Sequence, residues 1–128
     1  MLFTPIYAAI LGLGFVQLSF LTLHLRRQNK IALGDGGNPQ LLRAIRVHSN
    51  FAEYVPIALI LIYMTESIGA PIYLIHFLGI SLLSGRLSHA WGVSQENENF
   101  KFRVFGMIAT FNTIIVSSLY ILVSQFIY

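Results

Sequence analysis

The sequence predicts an all-α membrane protein, a four-transmembrane-helix up-down bundle forming one domain over 1–128. Composition is the first reason: 55% of residues are hydrophobic, 10% are charged and the mean hydropathy is +0.70, well outside the soluble range. Patterning is the second. Four apolar stretches, each near the ~20 residues that cross hydrocarbon, are separated only by short polar links. Charge placement is the third, because every Lys and Arg falls around the first or third link and the second link carries none.

The first helix is expected over 5–25. It begins without charge and ends in His24, Arg26 and Arg27, the reverse of a cleaved signal peptide, so it reads as a retained span. The run Gly34-Asp35-Gly36-Gly37-Asn38-Pro39 breaks the chain, with Asn38 placed to cap and Pro39 to open a second helix over 39–66. Pro56 removes a backbone bond near Ala52, which predicts a kink just beyond Glu53. Gly69-Ala70-Pro71 is a tight turn into a third helix over 71–92, and the polar link Gln95 to Asn99 leads to a fourth over 102–127. Small residues at four-residue spacing, Ala8 with Gly12, Ser81 with Gly85 and Ser84 with Ser88, suggest close helix contacts.

By the positive-inside rule both termini lie outside and the first and third links in the cytoplasm; a bacterial inner membrane is the expected location, and an organelle membrane is equally compatible with the sequence. Tyr7, Tyr63, Tyr73, Tyr120 and Tyr128 would mark the outer boundary, and Trp91, Phe100 and Phe102 the inner one. His24 and His76 read as interfacial residues. The pI of about 9.5 does not point to nucleic acid, since the charges flank spans and suit topology and anionic membrane lipids. With no cysteine, disulfides, thiolate metal sites and a protein thiol nucleophile are excluded, so any thiol chemistry uses an imported thiol.

Chemistry gathers where charge enters the second span. At about 100° per residue, Arg43, Arg46, Asn50, Glu53 and Tyr54 share an arc of roughly 100°, and such a face cannot look at lipid. On the fourth helix Arg103, Gly106, Thr110, Thr113 and Ser117 share an arc of about 80°. Arginines at 43, 46, 86 and 103 suit carboxylates, Asn50 both donates and accepts, and Glu53 takes an ammonium group. That set fits a small zwitterion with several carboxylates, beside a bilayer that can deliver a lipophilic small-molecule partner. Blander readings stand alongside. Arg26, Arg27 and Lys30 suit snorkelling anchors, as do Arg86 and His89; Arg46 with Glu53 suits a structural ion pair; and His48, on a different face from Asn50, suits a bond within its own subunit.

Arg43-Ala44-Ile45-Arg46 followed by Asn50, Glu53, Tyr54 and Pro56, with Gly85-Arg86-Leu87-Ser88-His89, resembles the membrane-associated proteins of eicosanoid and glutathione metabolism, the MAPEG family. The layout covers nearly the whole chain, while the specific identity is confined to these segments. The resemblance implies a homotrimer binding glutathione as cosubstrate between subunits at the cytoplasmic side. It implies contacts from Arg46, Asn50, Glu53 and Tyr54, from His48, from Arg26 on the first helix, and from Arg86 and His89 on the third. Arg103 is the candidate catalytic residue, stabilising the thiolate. A tyrosine that some relatives carry one turn after the His89 position is Val93 here. The implied activity is a glutathione-dependent transferase or peroxidase acting on a lipophilic electrophile or peroxide. The alternatives are a noncatalytic lipid-binding or scaffold member and a small multidrug transporter. Against the transporter, the first span has no acid and the arginines beside Glu53 repel a cationic drug.

Overall fold

The computed structural model describes residues 1–127. Four helices follow in order, α1 (Thr4–Asn29), α2 (Pro39–Ser67), α3 (Ile72–Ser94) and α4 (Phe100–Ile127). The expected elements are all present. α1 runs beyond 25 because Arg26 to Asn29, though too polar for hydrocarbon, continue the helix past it, and the two arginines lie in the last turn, where its dipole is negative. Lys30 then closes it with φ 55°. At the start of α2, Asn38 Oδ1 accepts from Leu41 N at 2.9 Å and Pro39 takes the first helical position. Despite Pro56, α2 continues without a break to Ser67.

The packing is that of a protein dissolved in lipid. Phe20, Tyr73, Phe77, Leu87 and Trp91 are exposed, whereas Thr65, Arg86, His89, Thr110, Thr113 and Ser117 are buried. α1, α2 and α4 are long and apolar enough to cross a membrane. α3, which carries His76, Arg86 and His89, packs against all three. A core of Leu11, Phe51, Val55, Ala58, Ile62, Ile75, Leu78 and Leu82 joins α1, α2 and α3.

α3 and α4 make the most extensive contact. Gly85 and Gly106 face each other so closely that a Cβ on Gly106 would stand 2.5 Å from Gly85 O and 2.7 Å from His89 Cβ. Ser81 Oγ donates to Ala109 O at 3.5 Å and Ser88 Oγ to Phe102 O at 2.9 Å. The small-residue stripe below Arg103 is therefore a packing surface. A Cβ on Gly12, by contrast, would meet nothing within 4 Å among the described residues, and exposed Ser84 bonds Ser81 O of its own helix, so of the Ser84–Ser88 pair only Ser88 reaches α4.

Polar bonds tie α1 to its neighbours towards its two ends. Glu66, at the end of α2, accepts from the backbone N–H groups of Phe3 and Thr4 and from Thr4 Oγ1. Tyr7 Oη and His76 Nδ1 lie 2.7 Å apart. Tyr7 is thus buried in a helix contact, a correction to its expected place at the membrane boundary, and His76 is its partner. Towards the other end, Ser19 Oγ meets His48 Nε2 at 2.9 Å and Asn38 Nδ2 donates to Asn29 Oδ1 at 3.1 Å. Tyr63, Tyr73, Trp91, Phe100 and Phe102 are exposed, as boundary residues require; Tyr128 lies outside the described residues.

Candidate functional site

The end of the bundle that carries the α1–α2 and α3–α4 links gathers the basic residues. The α2 arc enters the interior there. Asn50 Oδ1 accepts from Arg86 Nη1 at 2.6 Å, joining α2 to α3. Arg86 is 3% exposed; its Nη2 reaches Gly106 O at 3.5 Å and Met107 Sδ at 3.4 Å, and its Nε has no hydrogen-bond partner among the described residues. No carboxylate pairs with it, since the ion pairs among the described residues are Arg43–Glu98 and Arg103–Glu98.

Beside this bond lies a cavity of about 300 Å³ lined by Arg46, Asn50, His89, Val93, Arg103 and Met107. Three helices supply it. Close approach of α3 and α4 at Gly85 and Gly106 brings His89 and Arg103 to the same pocket as Arg46 and Asn50. Four of the site residues expected from sequence therefore meet at one cavity, with Arg86 bonded behind them.

Arg103 is itself anchored. Its Nη2 donates to Glu98 Oε2 at 2.8 Å, and its Nε lies 2.7 Å from Oε1 as a charge contact without an aligned hydrogen bond. Arg43 Nη1 donates to the same Oε2 and to Val93 O, each at 3.0 Å. Glu98 belongs to the polar link Gln95 to Asn99, yet its side chain is only 4% exposed. Sequence reasoning missed it. The signal was an acid five residues before Arg103 in a link too short to leave the basic end.

The remaining candidates lie outside the cavity of the single protomer. Arg26 Nη1 donates to Gly34 O at 2.7 Å within the α1–α2 link. His48 bonds Ser19 and stacks on Phe15 with ring centroids 4.7 Å apart, so it serves the α1–α2 contact. Tyr54 packs edge-on against Phe111 at 5.5 Å. Glu53 is exposed and, among the described residues, forms no ion pair with Arg46.

A second, apolar groove of about 950 Å³ runs between α1 and α3, with Leu13, Phe20, Leu21, Leu87 and Trp91 in its walls. Arg86 also forms part of that wall. Through its bond to Asn50, one buried cation thus touches both the apolar groove and the polar cavity's lining.

Comparison with known proteins gives the same outline. A model of the MAPEG family matches residues 4–123. The inner membrane protein YecN of Escherichia coli strain K12 is 41% identical over 107 residues, covering 84% of this chain and 80% of that protein. The YecN protein of E. coli O6:H1 strain CFT073 matches with the same identity and coverage.

Proposed function

The chain belongs to the MAPEG family, and from that premise we propose that it is a glutathione-dependent transferase or peroxidase. It acts on a lipophilic electrophile or peroxide at the cytoplasmic side of a bacterial inner membrane, with both termini outside. The observation that carries this reading is the cavity where Arg46, Asn50, His89 and Arg103 converge at the basic end of a membrane bundle. Its donors match the carboxylates of a small peptide, and Asn50 is already oriented by Arg86.

The exposed α2 face supports a homotrimer. Glu53 is exposed on a helix that crosses lipid, where an uncovered carboxylate is costly. A neighbouring copy covers that face and supplies the second half of the site, with Glu53 taking the ammonium group and Arg26, His48 and Tyr54 contributing across the subunit boundary.

Arg103 acts on the thiol. A free thiol has a pKa of roughly 8.5, and adjacent positive charge lowers it, so more thiolate is present at neutral pH. The thiolate sulfur then bonds the electrophilic carbon while the leaving group departs with the electron pair. The lipophilic partner lies in the α1–α3 groove, where Arg86 approaches it from the wall. That groove also suits a noncatalytic lipid-binding member, which thiol turnover separates from an enzyme.

Calorimetry with glutathione on the detergent-purified protein tests the reading, comparing wild type with R46A and E53A. Losing a hydrogen bond to a charged group costs about 1.5–3 kcal/mol, so each variant should weaken binding by roughly ten-fold or more. Absence of binding to folded wild type, or unchanged affinity in both variants, would overturn it.

A further inference from the structure

Among the described residues Glu98 is the one acid drawn into the basic cluster. Around the cavity stand Arg43 and Arg46 from α2, Arg86 and His89 from α3, Arg103 from α4, and Glu98 from the link between α3 and α4. Its carboxylate holds Arg103 through both Nε and Nη2 and Arg43 through Nη1, so one group ties α2 to the start of α4. Glu98 occupies the Nε–Nη2 side of the Arg103 guanidinium, taking one hydrogen bond from Nη2 and a charge contact from Nε, which leaves Nη1 with both of its N–H groups for a ligand in the cavity that Arg103 lines. A side chain 4% exposed in a five-residue polar link is placed by these contacts and by nothing else in that link.

We propose that Glu98 is a positioning residue for this site: by holding the Nε–Nη2 side of Arg103 it presents the Nη1 side to the cavity and offsets one arginine charge, so that the pair, not the arginine by itself, sets the acidity of a thiol bound there. The thiol part rests on the glutathione reading; the positioning of Arg103 stands apart from it. Two consequences pull in opposite directions and can be separated by substitution. Glutamine at this position keeps an acceptor for Arg103 and removes the negative charge. Alanine removes both and leaves the guanidinium free to turn to water.

Two measurements on the full-length protein decide the matter. The first follows the ultraviolet absorbance of bound glutathione thiolate against pH in wild type, E98Q, E98A and R103A. E98Q should move the titration down by roughly one pH unit, as expected for removing a nearby like charge. E98A and R103A should both return it towards the free thiol. A titration in E98Q that matches wild type, or one in E98A that stays at or below wild type, overturns the proposal. The second needs no ligand: the rate at which phenylglyoxal modifies Arg103, read by peptide mass spectrometry. Arg103 should react several-fold faster in E98A than in wild type, with E98Q between them; equal rates in all three remove the positioning role. If wild type binds no glutathione, the glutathione reading falls. Slow labelling of wild-type Arg103 relative to E98A then still marks Glu98 as the positioning residue of an anion pocket.

Discussion

The α3–α4 contact at Gly85 and Gly106 can be probed by adding a single methyl group. In G106A the new Cβ would stand 2.5 Å from Gly85 O and 2.9 Å from His89 N, both backbone atoms that cannot turn aside. A carbon–oxygen contact needs roughly 3.3 Å, so the helices must part by about 0.8 Å. Overpacking of this kind costs about 1–3 kcal/mol, opposed by a gain of up to ~1 kcal/mol in helix propensity. The net expectation is a destabilisation of about 1–2 kcal/mol, which lowers the apparent Tm in detergent by roughly 4–8 °C at this chain length. The shift also disturbs the site, because Arg86 Nη2 and Thr110 Oγ1 both reach Gly106 O. G12A is the comparator: nothing lies within 4 Å of the added methyl, so its Tm should hold or rise. Equal Tm values for G106A and G12A would refute the reasoning.

Two further substitutions address the ends of helices. E66A takes the acceptor from the amides of Phe3 and Thr4, and a half-buried loss of this kind costs about 1–2 kcal/mol; faster proteolytic clipping near residue 4 and a lower Tm should accompany it, while unchanged clipping would mean that water replaces the carboxylate. N38A removes the cap on Leu41 N and should cost about 1 kcal/mol in thermal unfolding, whereas no loss would place the capping energy in Pro39 alone.

Much of the fold is legible in the sequence because lipid imposes a coarse rule. A helix must be long and apolar, and its ends carry local marks such as Asn38-Pro39 or Arg26-Arg27. The α2 arc is legible for a related reason, since Arg46 and Asn50 stand out in an apolar helix whatever they touch. What escapes are partnerships made across the bundle. Glu66 looks like a boundary acid, and only packing shows it capping a helix begun 62 residues earlier. Glu98 hides in a link whose neighbours are solvent-exposed, and Tyr7 has the sequence signature of an interfacial anchor while serving His76. These choices depend on which helix lies beside which, and hydropathy carries no such information.

The Glu66 cap has a consequence for how the chain is made. At about 5–20 residues per second, the 62 residues between Thr4 and Glu66 take roughly 3–12 s to synthesise. Throughout that interval the first amides of α1 lack the Glu66 acceptor. α3 and α4, joined by five residues, meet their contact partner almost as soon as it emerges. The start of the first helix is therefore secured only when the end of the second has been made, and until then water at the bilayer edge decides where it begins.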